Sequence, residues 1–228
     1  MNRLIFERQW LHLLGLVALL AAVTLAMPWA GLDDGPFRFG SAGWWVLLAV
    51  RLAVVHQVFV WFCWRTELHA GMLSRLFGAG GFPTYAVFFV ALGGARFAAA
   101  LTVAWVDRGS LAPESLALKG AALLMLLPVA YMFWSIRRFF GVRRALGADH
   151  FDAAYRTMPL VREGIFRWTP NAIYTFGPFV LWAAALWWSS RAALVTAAFN
   201  HLYIWVHWFA TEKPDLRRIR DGRGPAGG

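Results

Sequence analysis

VREGIFRWTPNAIYTFGPFVLWAAALWWSSRAALVTAAFNHLYIWVHWFATEKPDLRRIR, residues 161–220, holds two apolar runs, Ala172 to Trp188 and Ala192 to Ala210, joined by Ser189-Ser190-Arg191. At about 1.5 Å per residue each run is long enough, as a helix, to cross the hydrocarbon core of a bilayer. So short a link forces the two helices into an antiparallel hairpin, which returns its polar ends to one membrane surface. With Asn171 at that surface, Tyr174 and Gly177 lie roughly 5 and 9 Å inside it, and His207 lies roughly 7 Å inside Glu212 on the returning helix. Tyr174, Gly177, His207 and Glu212 are therefore expected at one level. Polar groups at that depth are costly unless they face protein, water or a ligand.

Four further apolar runs precede this hairpin, at 10–29, 43–64, 83–106 and 117–136. With 60% hydrophobic residues and a mean hydropathy of +0.53, the composition is that of a polytopic membrane protein. The expected fold is all-α, a membrane bundle of about six transmembrane helices. A four-helix N-terminal region would span 1–136 and a C-terminal core 137–228, with the hairpin 172–210 and a basic tail. The first run could be read as a signal peptide, but Ala26-Met27-Pro28-Trp29 offers no small-x-small cleavage site.

The formal charge is +10, and the basic residues cluster beside apolar runs instead of forming a separate basic domain. That pattern argues against nucleic acid and for positive-inside topology with anionic headgroups nearby. Lys and Arg concentrate at the N-terminus, in the second and fourth loops and in the tail, which places both termini in the cytoplasm. Cys63 is the single cysteine, so an intramolecular disulfide is excluded. Arg65 to Phe77 has roughly helical spacing and reads as a short interfacial helix, and Gly78-Ala79-Gly80-Gly81 reads as a turn. Ala91, Gly94, Ala95, Ala98 and Ala99 give the third run a small-residue face for close packing. Gly222 to Gly228 reads as a disordered tail.

The acid-base groups at the cytoplasmic level are Glu212 and His207, about 140° apart on an ideal helix. Glu212 is expected as base or as partner of a ligand amine, and His207 as a polar group of the pocket; the bland alternative is a Glu212 that only caps a helix end beside Lys213 or Arg217. His201 reads as a hydrogen-bonded histidine near the opposite surface. Pro170 prevents regular helix, Asn171 suits an N-cap, and Gly177 would let a ligand approach the backbone. Arg51 and Arg96 fall at similar depth in antiparallel helices, with His56 one or two turns inward of Arg51. No acid lies inside the first four runs to pair with the two arginines, so they either snorkel and bind carbonyls or hold a lipid phosphate. These three are the candidate substrate-binding residues; no metal site is expected.

Arg167-Trp168-Thr169-Pro170-Asn171-Ala172-Ile173-Tyr174-Thr175-Phe176-Gly177 resembles the Arg-x-Pro/Asn-x-x-Tyr-x-Gly signature of integral-membrane methyltransferases, and Thr211-Glu212-Lys213-Pro214 is similar to the acidic ending of the same families. The resemblance is closest to the phosphatidylethanolamine and phospholipid N-methyltransferases, and more distant to the isoprenylcysteine carboxyl methyltransferases. Leu146-Gly147-Ala148-Asp149-His150-Phe151 resembles a Gly-containing motif of the phospholipid enzymes. Two positions depart from the pattern: Thr169 where His often precedes the Pro, and a single Glu212 where two acids often stand. The resemblance implies S-adenosylmethionine as methyl donor, S-adenosylhomocysteine as product, and a membrane lipid amine as acceptor. It implies cofactor contacts from Gly147, Arg167, Asn171, Tyr174, Gly177 and Glu212, with Glu212 and His207 as catalytic groups. It also implies a cofactor site on the cytoplasmic side of a bacterial inner membrane, lined by the long connection between Arg137 and Thr169. An isoprenylcysteine-type carboxyl or thiol acceptor is the near alternative. A haem-binding subunit, pairing His56 with His207, and a non-catalytic lipid-binding protein are the other classes, told apart by colour and by cofactor binding without turnover.

Overall fold

A computed structural model describes residues 2–32, 38–113 and 115–221. It is 79% helical and has no strand among the described residues. A short α1 (Asn2–Ile5) leads into α2 (Gln9–Ala26) and, beyond the first loop, α3 (Ala42–Ala70) and α4 (Met72–Phe77). Next come α5 (Gly81–Val106) and α6 (Leu116–Ser135), which runs on as a π-helical turn over Ile136–Phe140. The connection to the hairpin carries only α7 (Val142–Ala145), α8 (Ala153–Arg156) and 3-10 turns at Ala148–His150 and Gly164–Arg167. The hairpin is α9 (Ala172–Phe176) and α10 (Phe179–Trp187), then α11 (Arg191–His207), a π turn at Trp208–Glu212 and α12 (Lys213–Arg220).

The protein is an integral-membrane helical bundle. Four helical stretches, Arg3–Ala26, Ala42–Ala70, Met72–Val106 and Leu116–Phe140, are long and apolar enough to cross a bilayer; Ala172–Trp187 is a shorter apolar stretch, broken at Gly177-Pro178. α3 lies along α5, α10 packs on both α6 and α11, and α11 also touches α2 and α3. Alanines allow this close approach: Ala49 and Ala53 of α3, Ala99, Ala100 and Ala104 of α5, and Ala192, Ala193 and Ala197 of α11 share one buried cluster.

At the far end the link is pinned by Asp107. Its Oδ2 accepts from Ser110 Oγ (2.6 Å), Ser190 Oγ (2.6 Å) and the N–H of Ala192 (2.9 Å), while Ser190 caps α11. Asp107 thereby satisfies donors that the first turn of α11 would leave unpaired.

Two local expectations are corrected. Arg65 to Phe77 is not one interfacial helix: α3 runs on to Ala70, and Gly71, in the left-handed region at φ 60°, turns the chain into α4. The side-chain carboxylate of Glu67 accepts from the N–H groups of Leu73 and Ser74, tying α4 back onto α3. Of the small-residue face on α5, only Ala99 is buried; Ala91, Gly94, Ala95 and Ala98 are exposed, because α5 turns Arg96, Ala100 and Val103 toward the bundle instead. The expectation for Gly222 to Gly228 lies outside the described residues.

Candidate functional site

The polar end of the hairpin opens into a cleft of about 700 Å³, its open mouth included. Its walls come from distant segments: Trp64 of α3, Arg144, Gly147 and Asp149 of the long connection, Asn171 and Tyr174 at the start of the hairpin, and Glu212 and Arg220 at its end.

Tyr174 Oη donates a hydrogen bond to Glu212 Oε2 across the mouth of the hairpin. The π turn at Trp208–Glu212 lies between His207 and Glu212 and holds one residue more per turn than an α-helix. Glu212 faces the cleft while His207 and Thr211 stay buried. Burial pushes the Glu212 carboxyl up to about 7, the Tyr174 hydrogen bond opposes this, and the nearby Asp149 adds to the rise. A carboxyl poised near neutrality can both take and return a proton at working pH.

Behind this pair runs a row of buried charge. Arg65 Nε donates to Asp215 Oδ2 at 2.7 Å, and both side chains are fully buried. The same guanidinium reaches the carbonyls of Ala210 (3.3 Å) and Thr211 (3.2 Å) and that of Leu4. It thus holds the backbone of the π turn on α3, where Pro214 offers the Ala210 carbonyl no N–H, and ties α1 to α3. His150 Nε2 lies 3.8 Å from Asp215 Oδ2, and its Nδ1 lies 3.2 Å from Asp149 Oδ1. Burial alone would lower the His150 pKa, but the hydrogen bond with Asp149 and the nearby negative charges of Asp149 and Asp215 outweigh it and raise it to about 9. For Asp149 burial acts upward, and the hydrogen bond and charge of His150, with Arg144, bring the net shift below the ordinary value.

Two further contacts fix this loop. The Trp64 ring stacks on His150 at 4.2 Å between centroids, and Gly147, at φ 85°, lies so close that a Cβ would sit 2.5 Å from the indole. Arg156 donates to the carbonyls of Asp149 and His150, both at 3.0 Å.

The cleft thus gathers Gly147, Asn171, Tyr174 and Glu212 of the expected residues. Asn171 stands at the N-cap of α9, but its side chain makes no capping bond; its carbonyl instead accepts from the N–H groups of Tyr174 and Thr175. Gly177 faces the Ile173 carbonyl and the Met132 methyl, away from the cleft lining, and Arg167 is exposed and outside that lining. His207 is buried against Trp64 and His12 and does not line the cleft. Arg51 and Arg96 are not brought together as a pair: Arg51 is exposed, whereas Arg96 is buried with its Nε 2.5 Å from Asn200 Oδ1, its Nη2 3.0 Å from the Asn200 carbonyl and its Nη1 3.5 Å from His56 Nδ1. His201 Nδ1 accepts from the Trp182 indole at 3.2 Å.

Arg65, Trp64 and Asp215 went unrecognised in the sequence. Asp215 directly follows Thr211-Glu212-Lys213-Pro214, which is the one signal that marked it out.

An all-α bundle with four helical stretches long and apolar enough to cross a bilayer, and a polar cleft at one end of its last hairpin, is the architecture of an integral-membrane protein. The family model described as phospholipid methyltransferase matches residues 117–220, and that stretch is similar to it. The match starts in α6, upstream of the boundary expected at 137, and includes every cleft residue named above except Trp64. No curated protein matches the chain, and no solved structure does.

Proposed function

We propose that the protein transfers a methyl group from S-adenosylmethionine to the amine of a membrane phospholipid, phosphatidylethanolamine or its methylated forms, at the cytoplasmic face of a bacterial inner membrane. The observation that carries this reading is the Tyr174–Glu212 hydrogen bond inside a cleft built by the segments that the family model matches.

The cleft lining fits the donor in kind. Arg144 and Arg220 offer cations for a carboxylate, Asp149 and Glu212 offer anions for an ammonium or sulfonium, and Trp64 and Phe140 offer apolar walls for an adenine. When bound, the donor supplies an electrophilic methyl group on its sulfonium. Asn171 and Tyr174 orient the ligand from one limb of the hairpin, and Glu212 from the other. Glu212, near neutral pKa, takes the proton of an approaching ammonium so that the amine presents a lone pair. The walls keep donor and acceptor aligned, which is the larger part of the catalysis such a displacement needs. Arg8, Arg217 and Arg218, with Glu7 and Asp221, border a neighbouring hollow beside α12, and Arg144 and Arg220 line the cleft. That basic rim supports a cytoplasmic placement and an anionic lipid surface.

Calorimetric titration of the detergent-purified, lipid-supplemented protein with S-adenosylhomocysteine tests the donor site. Saturable binding that Tyr174→Phe and Glu212→Gln weaken is the expected result. Absence of binding by folded protein overturns the reading. Labelled donor supplied with lipid amines, isoprenyl thiols or isoprenyl carboxylates then assigns the acceptor.

A further inference from the structure

Arg65, Asp215, His150 and Asp149 follow one another as plus, minus, plus, minus from the buried face of α3 to the cleft, with separations of 2.7, 3.8 and 3.2 Å. Of the four, Asp149 lines the cleft, and its side chain keeps 15% of its surface exposed while those of Arg65 and Asp215 keep none. Glu212 lines the same space from the other side. We propose that Asp149 is a second ligand-binding carboxylate of this cleft, contacting the organic cation of the bound methyl donor, and that His150, Asp215 and Arg65 are the positioning residues that hold it there. The proposal rests on the donor reading above.

The row explains an otherwise costly arrangement. A buried arginine, histidine and aspartate are tolerated only when each charge has a partner. Here each interior member touches an opposite charge on either side, and the chain ends at the one carboxylate that meets the cleft. The loop bearing Asp149 is fixed by the Trp64 stack, by Gly147 and by Arg156, so the carboxylate is set in place before any ligand arrives. Its proximity shows in Glu212, whose carboxyl Asp149 pushes toward the neutral form. A cation seated between the two relieves that repulsion. Binding therefore drives a proton off Glu212 and strengthens as pH rises through about 7.

The charged and titratable groups around Asp149 are His150 and Arg144 in its own connection, Arg156 on α8, Arg65 on α3, Tyr85 on α5, Tyr174 on α9, Glu212, and Asp215 and Arg220 on α12. Among these, His150 makes the direct side-chain contact that holds the Asp149 carboxyl below its ordinary pKa.

The test uses the full chain in lipid nanodiscs and three probes: S-adenosylmethionine, with an ammonium and a sulfonium; S-adenosylhomocysteine, with the ammonium only; and deaminated S-adenosylhomocysteine, with neither. Asp149→Asn is expected to weaken S-adenosylmethionine about tenfold or more, as loss of a charge-assisted contact does, and to leave the deaminated probe unchanged. An equal loss for S-adenosylhomocysteine assigns the ammonium, and a loss confined to S-adenosylmethionine assigns the sulfonium. Asp149→Glu is expected to recover part of the affinity. In His150→Gln the acid limb of donor binding is expected to move to higher pH, which loss of packing alone would not produce. Wild-type affinity of Asp149→Asn for all three probes, an equal loss for all three, or an effect confined to the KM of the lipid acceptor overturns the proposal while the donor reading stands. A wild-type protein that binds no probe overturns both.

Discussion

Tyr174 and Glu212 stand on opposite limbs of the terminal hairpin, 38 residues apart, and the tyrosine hydroxyl donates to Glu212 Oε2 where both meet the cleft. Burial raises the Glu212 carboxyl to about 7, and this hydrogen bond, ahead of the charge of His150, opposes the rise. In Tyr174→Phe the carboxyl is therefore expected to titrate higher. Methyl-transfer activity falls roughly tenfold at pH 7, in line with loss of a hydrogen bond to a charged group, and recovers in part as pH is raised. A pH–rate profile whose acid limb is unmoved would remove the hydrogen bond from the mechanism.

Replacing the carboxylate itself is expected to act at all pH values. Glu212→Gln keeps the shape and the Tyr174 contact but cannot accept a proton. Turnover is expected to drop by about 10²-fold or more while expression and helical content stay intact. Single-turnover kinetics with labelled donor measure this directly, and unchanged rates would assign proton removal elsewhere.

The level shared by Tyr174 and Glu212 was legible in the sequence because a three-residue link and two apolar runs leave a hairpin little freedom. The bundle was legible for the same reason, since apolar length reports membrane helices directly. Arg65 was not: a charged residue at the end of an apolar run reads as the edge of the membrane, and nothing local shows that α3 continues past it to meet Asp215. The facing of His207 was legible in part: ideal-helix spacing already sets it about 140° from Glu212, and what the sequence does not show is that Trp64 and His12 cover it. The small-residue face of α5 misled because its alternative, Arg96, finds Asn200 only in three dimensions.

His150 gives stability a pH dependence with a definite sign. Its folded pKa of about 9 exceeds the ordinary value of 6.5. The folded state then holds a proton that the unfolded state has released, so the contribution is complete below 6.5 and is lost as pH rises through 9. The thermal midpoint in detergent is expected to fall between pH 6.5 and 9 in the wild type, and less steeply in His150→Gln. Parallel slopes for the two proteins would show that His150 is not the group responsible.

Gly147 is expected to tolerate no side chain. At φ 85° any L residue is strained, and a Cβ would sit 2.5 to 2.7 Å from the Trp64 indole. Gly147→Ala must move the ring that stacks on His150 and walls the cleft. A destabilisation of about 1–3 kcal/mol is expected, together with weaker S-adenosylhomocysteine binding. Differential scanning fluorimetry and calorimetry read the two effects separately, and a fully wild-type variant would mean that the loop adapts freely.

Arg96 and Asn200 are expected to matter for the bundle and not for the cleft. Arg96 is buried among α3, α5 and α11 with no acidic partner among the described residues, and it relies on the Asn200 side chain and carbonyl. Asn200→Leu withdraws the side-chain acceptor but leaves the guanidinium buried. Breaking such an arrangement from one side costs about 3–5 kcal/mol, whereas replacing all its polar members by apolar ones of similar size is often neutral. The single variant is therefore expected to melt well below the wild type, and Asn200→Leu with Arg96→Met to recover most of the difference. Because neither residue lines the cleft, donor affinity is expected to be unchanged in the double variant. A double variant as unstable as the single one would show that the cost lies in lost packing and not in the stranded charge.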